Sequence, residues 1–236
     1  MGKNVIKRLA VFLIAILFGS HAAADPGYYL LTPYSAPGDL TLDARYWSVK
    51  APGRNATLWP ELGLRFGFDA RWTSEFFVSY IGKSLDNQRL SSLNWQNSYL
   101  LTDGQYSFDV AIHAQLIHNQ GMGNALELGP VFQTEIGLTQ LNFNLIFEQD
   151  WARKDGVYLK YQWQALHRLG NGVRVGVQGF GELGRWDHWS NKQSHRAGPV
   201  GRLRLLNDLE WQAAYLWGDT FGKRGNMFST QLTLKF

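Results

Sequence analysis

Cysteine is absent from the sequence, and this excludes both a disulfide framework and a lipid-modified cysteine. After residue 24 there is also no apolar run of membrane-spanning length, which excludes a membrane helix from the rest of the chain. An excess of one charge sign is missing too. Of the 23 basic residues, Lys3, Lys7 and Arg8 precede residue 25, which leaves 20 against 19 acidic residues. A nearly neutral chain is not expected to bind nucleic acid.

The first 24 residues have the three parts of a secretory signal peptide. A basic start is followed by an apolar run over 9–19 and by three alanines at 22–24. Because the apolar run is too short for an ordinary spanning helix, a cleaved signal is favoured over an N-terminal membrane anchor. Residues 25–38 are too interrupted by proline for a strand, and they are predicted to form a periplasmic arm that either folds inward or stays loose.

Glycine and aromatic residues are abundant, and both favour strands joined by tight turns. The clearest strand pattern ends the chain: in 227–236 the apolar residues alternate with polar ones up to Phe236. The same alternation recurs along residues 39–236, which predicts one all-β domain. The strand segments are 39–50, 58–72, 75–83, 93–102, 106–118, 125–138, 141–151, 157–168, 173–184, 197–205, 209–218 and 227–236.

Twelve strands joined by alternately short and long connections are typical of a transmembrane antiparallel up-and-down β-barrel. The longer predicted loops are 51–57, 84–92, 119–124, 152–156, 185–196 and 219–226. Pro60, Pro130 and Pro199 lie within predicted strands, so ten or fourteen strands remain possible. A soluble β-sandwich is the alternative, but it would expose leucine, phenylalanine and tryptophan to water on strand after strand. Closure of the barrel predicts that 227–236 pairs with 39–50.

The polar faces of these strands are predicted to line the lumen. The lumen-lining candidates are Glu61, Arg65, Asp69, Arg71, Asp109, His113, Glu135, Glu148, Lys160, Arg174, Glu182, Arg202 and Arg204. Because acidic and basic residues are nearly balanced on this face, paired networks are expected rather than a strongly ion-selective pore. A twelve-stranded barrel lies between the filled eight-stranded barrels and the open porins, so passage of small solutes is possible.

The chain resembles bacterial outer-membrane β-barrel proteins in its signal peptide, its alternating strands and its final strand ending on Phe236. The segments LKYQWQALHRL (159–169), VGVQGFGELG (175–184) and HRAGPV (195–200) are also similar to the second half of proteobacterial transporter-type barrels associated with phenol-degradation pathways. The resemblance implies a Gram-negative outer membrane with both termini periplasmic. It further implies recognition of the C-terminal strand by the barrel-assembly machinery, and solute passage without a named solute.

A second resemblance concerns the longest predicted loop. His188-Trp189-Ser190-Asn191 resembles the His-x-Ser-Asn motif of outer-membrane lipid A deacylases, in which a histidine beside a serine supplies base and nucleophile. Here Lys192 follows, where that family prefers a small residue. The basic residues of this loop also suit contact with lipopolysaccharide phosphates, or else make it a solvated loop; they are Arg185, His188, Lys192, His195 and Arg196.

No cofactor or metal site is predicted, since His113 and His118 are five residues apart and therefore lie on opposite faces of one strand. The leading hypothesis is an outer-membrane barrel that forms a narrow channel or transporter for small solutes. Two alternatives remain: an outer-leaflet lipid-modifying enzyme using His188 and Ser190, and a plugged structural or adhesion barrel. Outer-membrane lipids and lipopolysaccharide are the expected surroundings.

Overall fold

The computed structural model describes residues 29–34, 37–51, 53, 55–102, 104–152, 156–189, 194–220 and 223–236. The predicted signal peptide and the first residues of the arm lie outside these ranges, as does Ser190, so predictions about them stay predictions. Among the described residues no helix is long and apolar enough to cross a membrane.

Thirteen antiparallel strands make up one sheet. They are β1 Leu40–Lys50, β2 Thr57–Gly67, β3 Trp72–Ser84, β4 Asn87–Leu100, β5 Phe108–Asn119, β6 Gly123–Ile136, β7 Thr139–Asp150, β8 Val157–Gly170, β9 Val173–Arg185, β10 His188–Trp189, β11 His195–Arg204, β12 Leu209–Thr220 and β13 Lys223–Lys235. The two-residue β10 pairs only with the end of β9. The other twelve strands form a closed barrel in which each pairs with its neighbours in the chain.

Closure of the barrel joins the first strand to the last. β1 pairs with β13 in one register from Thr41 opposite Lys235 to Lys50 opposite Asn226. The backbone N–H of Phe236 donates to the carbonyl oxygen of Leu40 at 2.9 Å and extends this seam to the end of the chain. The prediction of a twelve-stranded barrel closed by the C-terminal strand is therefore confirmed, and every barrel strand has two neighbours.

The barrel is apolar outside. Large apolar side chains are exposed around the sheet, and they include Leu62, Phe76, Trp95, Leu116, Leu128, Phe143, Val177, Trp217 and Leu232. The residues between them along each strand point inward and are mostly polar or charged. A water-soluble protein rarely exposes contiguous apolar surface of this extent, whereas a barrel in lipid requires it.

Several predicted loops are strand instead. β3 runs to Ser84 and β4 starts at Asn87, so the predicted loop 84–92 is a two-residue turn, and the predicted loops 119–124 and 219–226 are shortened in the same way. These residues are polar because the strands project beyond the apolar band, where both faces meet water. The converse correction applies at 101–107, where β5 begins at Phe108 and the turn is longer than predicted.

One predicted strand is too long. β2 ends at Gly67, and Asp69 and Arg71 lie in the turn to β3 rather than in the lumen. The carboxylate of Asp69 accepts hydrogen bonds from the backbone N–H groups of Arg71 and Trp72, both at 2.7 Å. This side-chain cap competes with the strand ladder and turns the chain. The alternation of apolar and polar residues continues through this turn, so the sequence pattern does not mark the end of β2.

The three prolines do lie within strands, and they leave the strand count at twelve. Pro60 pairs with Tyr46 of β1, while the ladder to β3 has no partners at 59 and 60. The ladders also skip Pro130 on its β7 side and Pro199 on its β12 side. On one side of each proline the ladder is therefore interrupted. The missing backbone N–H of proline costs no ladder hydrogen bond there.

Candidate solute pathway inside the barrel

The N-terminal segment Tyr29–Tyr34 lies inside the barrel, as in the inward alternative for the arm. The ring of Tyr29 packs edge-on to Phe77 with centroids 5.8 Å apart and tilts against Trp47 at 6.3 Å. The guanidinium carbon of Arg45 lies over this ring, 4.0 Å from its centroid. The Tyr29 hydroxyl donates a hydrogen bond to Gln96. One aromatic side chain therefore contacts three strands, β1, β3 and β4.

Leu31 and Tyr34 hold the remainder of the segment. The backbone N–H of Leu31 donates to Gln162 at 3.3 Å, and its carbonyl oxygen accepts from Asn144 at 3.0 Å. Nearer the mouth of the barrel at which Phe236 lies, the Tyr34 hydroxyl donates to a carboxylate oxygen of Asp109 at 2.6 Å. Burial and this hydrogen bond raise the pKa of Tyr34 to about 12. The segment is thus held by side chains of the lumen and not by a strand ladder.

Beside this segment lies a network of buried ion pairs. Arg45 forms an ion pair with Glu75 and lies 3.7 Å from a carboxylate oxygen of Asp43. Asp43 also lies 3.3 Å from Arg65 and accepts a hydrogen bond from Thr233 at 2.5 Å. Because Asp43 lies between the two arginines and Glu75 pairs with Arg45, the charges in the middle of the barrel are compensated, as the balanced inward face led us to expect.

A second network lies further from the mouth at which the C-terminal residue Phe236 lies. Lys160 donates to Glu127 at 2.8 Å and forms an ion pair with Glu148. His113 is fully buried, with its Nε2 3.9 Å from Glu127. Two carboxylates thus share one lysine at a place where the interior is closed to solvent, which makes the lysine the structural centre of this group.

Free space is distributed unevenly along the lumen. The cavities beside Tyr29 and Leu31 have volumes of about 20 and 40 Å³, room for little more than a few water molecules. Two larger cavities lie at the mouth near Phe236, one of about 230 Å³ beside Tyr34 and Arg65 and one of about 280 Å³ lined by arginines. The segment Tyr29–Tyr34 therefore fills the narrow part of the barrel.

Most of the predicted lumen residues lie on the inward face. Among them, Glu61 accepts from Ser79 at 2.8 Å, Glu135 lies 3.8 Å from Arg174 at the mouth, and Glu182 points inward from β9. Arg202 donates to Gln212 at 2.8 and 3.0 Å, and Arg204 is exposed at the same mouth. Asp69 and Arg71 are the exceptions, since they lie in a turn.

Some residues that shape the pathway were missing from the predicted set. Glu75 is the first residue of the predicted strand 75–83 and was not assigned to the lumen, since its burial beside Arg45 follows only from the closed barrel. Tyr29 and Leu31 lie in a stretch without strand periodicity, so no pattern indicated their position. The one signal was the concentration of tyrosine and proline in 25–38, which is unusual for a solvated arm.

The longest loop begins with Arg185, whose guanidinium donates to Asp187 at 3.0 and 2.6 Å. These hydrogen bonds lower the pKa of the exposed Asp187 carboxyl. His188 is exposed and lies in β10, opposite Arg185 of β9 in the antiparallel ladder. Because Ser190 lies outside the described residues, the predicted histidine–serine pair stays a prediction.

Comparison with known proteins supports the fold. No protein-family model and no curated protein sequence matches the chain. Solved structures do match: the NanC porin (TM-score 0.64, 9% identity, covering 83% of this chain and 100% of that one) and the KdgM porin (0.61, 8%, 83% and 99%). An outer-membrane channel from Pseudomonas putida also matches (0.60, 11%, 91% and 100%). At these identities the likeness shows the architecture of bacterial outer-membrane β-barrels and not a particular solute.

Proposed function

We propose that this outer-membrane β-barrel is a narrow channel for small solutes, closed in the present conformation by Tyr29–Tyr34. The observation that carries the proposal is the position of Leu31, whose backbone lies in the lumen and is held by two side-chain amides. A segment hydrogen-bonded into a ladder could leave only by breaking the sheet. A segment held by side chains can be displaced while the barrel stays closed.

The energies of the two positions of this segment are comparable. Four hydrogen bonds, at about 0.5–1.5 kcal/mol each, burial of Tyr29 and Leu31, at about 1.5–3 kcal/mol each, and the cation–π contact with Arg45, at about 0.5–2 kcal/mol, together favour the inserted position by roughly 6–14 kcal/mol. Ordering six residues costs about 1–2 kcal/mol each, or about 6–12 kcal/mol. The two terms balance within a few kcal/mol, so reversible displacement is energetically accessible.

Planar-bilayer recording of the refolded chain tests this function. We expect brief openings from the wild type and longer openings from the Tyr29→Ala/Leu31→Ala variant, because the variant loses both buried side chains. Tyr106→Ala, which removes an exposed side chain in the β4–β5 turn, is the matched control and should behave as the wild type. If none of these proteins conducts and none mediates solute uptake into liposomes, the channel function is wrong.

A permanently plugged structural or adhesion barrel is the second candidate. The paired charges around Arg45 favour it, because they fill the lumen with mutually satisfied groups. The same recordings separate the two candidates. A variant whose segment has left the lumen, shown by labelling, and that still does not conduct would favour the structural barrel.

The same architecture suggests the partners of the chain. Membrane lipids contact the apolar exterior. We infer that the barrel-assembly machinery recognises the C-terminal strand, since Phe236 is 70% exposed and ends the seam strand. We also infer that Arg185 and His188, which are exposed between β9 and β11, meet lipopolysaccharide phosphates, whereas Arg196 of the predicted basic set is 3% exposed and faces the lumen. Loss of retention on immobilised lipopolysaccharide in an Arg185→Gln variant would support this contact, and unchanged retention would remove it.

A further inference from the structure

An arginine stripe crosses three neighbouring strands at the mouth near Phe236. Arg168 on β8 lies directly opposite Arg174 on β9, and Arg174 lies directly opposite Arg202 on β11. Arg204 follows two residues after Arg202 on the same inward face. Like charges directly opposite each other destabilise a sheet, so this register favours a negative charge supplied from elsewhere.

The chain itself supplies only part of that charge. Glu210 lies 3.4 Å from Arg202, and Glu135 lies 3.8 Å from Arg174. Both carboxylates are partly solvated, with side chains 39% and 49% exposed, so their attraction is screened. In the part of the chain that the structure describes, Arg168 and Arg204 make no side-chain ion pair. Four guanidinium groups thus face two carboxylates.

The four arginines enclose a space suited to a small ligand. Together with Glu210 and the β8–β9 turn at 170–172 they line the cavity of about 280 Å³. A guanidinium group carries only donors, arranged in a planar fork that matches the two oxygens of a carboxylate or phosphate. The cavity is therefore complementary to a small oxyanion in both charge and hydrogen-bonding geometry.

We propose that this cavity binds small carboxylate or phosphate solutes at the mouth of the channel. Its role in passage rests on the proposed function, whereas binding does not require an open channel. The register continues from Arg202 through Gln212 and Gln231 to Arg45, beside Tyr29. Polar side chains thus lead from the cavity to the segment that closes the lumen.

Isothermal titration calorimetry of the refolded barrel protein in nonionic detergent tests the site, with succinate and inorganic phosphate as separate probes. We expect saturable binding of at least one probe, and binding about tenfold weaker in Arg168→Gln/Arg204→Gln, since each variant side chain loses a charge-assisted contact. The better probe identifies the solute class. Absence of saturable binding by the wild type for both probes overturns the proposal.

The control variant is Lys83→Gln/Arg89→Gln, which removes the same charge from exposed residues at the opposite rim. Equal weakening by the two double variants would show a net-charge effect and overturn the site. Arg204→Gln alone provides a milder variant, and the gel mobility shift on heating verifies that each barrel is folded. A threefold or greater loss confined to the stripe variants supports the site.

Bilayer recording then separates this inference from the proposed function. In a potassium chloride gradient, anion preference of the wild type that is lost in Arg168→Gln/Arg204→Gln supports a role of the site in passage. Saturable anion binding without any conductance would support the anion site and disprove the channel function. The opposite result is conductance with the same reversal potential in the stripe and control variants, without saturable binding. It would disprove the anion site and support the channel function.

Discussion

Tyr29 and Arg45 meet inside the barrel, with the guanidinium carbon 4.0 Å from the centre of the aromatic ring. A cation–π contact of this kind is worth about 2 kcal/mol or more when it is desolvated. It joins the N-terminal segment to the ion-pair network of the lumen, because Arg45 also pairs with Glu75. Displacement of the segment therefore exposes the ion-pair network. Substitutions in the network in turn change how strongly the segment is bound in the lumen.

The absence of cysteine makes the segment directly measurable. In a Leu31→Cys variant the new thiol lies at a position that is 7% exposed, and we expect slow labelling by a water-soluble maleimide. Adding Tyr29→Ala should accelerate labelling at least tenfold, because the cation–π and apolar contacts are lost together. A cysteine at exposed Leu138 is the control for intrinsic reactivity. Equally fast labelling at both positions would contradict an inserted segment.

Glu75→Gln should reduce the free energy of unfolding by about 3 kcal/mol, because it leaves the buried guanidinium of Arg45 without its nearest carboxylate. Urea unfolding followed by tryptophan fluorescence in lipid vesicles measures the change. Arg45→Met/Glu75→Leu, which removes both charges, should lose less stability than the single variant. If the double variant is the less stable one, the pair stabilises the barrel in its own right.

Lys160→Met should give a pH-dependent loss of stability. The variant leaves Glu127 and Glu148 facing each other without the lysine that both contact. Two carboxylates in contact repel when both are ionised, and protonation of either one as the pH is lowered from 8 towards 5 removes the repulsion. The stability difference from wild type should therefore shrink as the pH falls. A deficit that is constant over this range would show lost packing instead.

Gly176→Ala should prevent correct closure between β8 and β9. A Cβ atom at this position would lie 1.8 Å from the carbonyl oxygen of Ala165, a backbone atom that cannot move without shifting the ladder. Gly201→Ala is the control, since nothing lies within 4 Å of its added Cβ atom. The folded fraction by heat-dependent gel mobility should fall sharply only for Gly176→Ala, and equal folded fractions would disprove the close approach.

Removal of Phe236 should separate assembly from stability. Because the side chain is exposed and its N–H adds one hydrogen bond to the seam, we expect the truncated chain to refold in detergent with stability within about 1.5 kcal/mol of wild type. In cells its outer-membrane level should fall severalfold if the assembly machinery recognises this residue. Unchanged levels would exclude that role.

Much of the barrel was predictable from particular strands. In β5, Val110, Ile112 and Ala114 alternate with Asp109, His113 and Gln115, and lipid outside and water or polar partners inside require this order. At the rims the rule fails, since Ser84 and Asn87 continue strands in a polar stretch. At the rims both faces of a strand contact water, so a run of polar residues does not mark the end of the strand.

The sequence by itself determined the closing pair and most of the inward face and favoured twelve strands, because these follow from a period of two and from the need to satisfy every backbone group in lipid. Only the tertiary structure decided that Tyr29–Tyr34 lies in the lumen and that Arg168, Arg174 and Arg202 stand in one row. Both depend on residues far apart in the chain, brought together by strand register. The near-neutral composition conceals the arginine row, since compensating acids lie elsewhere in the barrel.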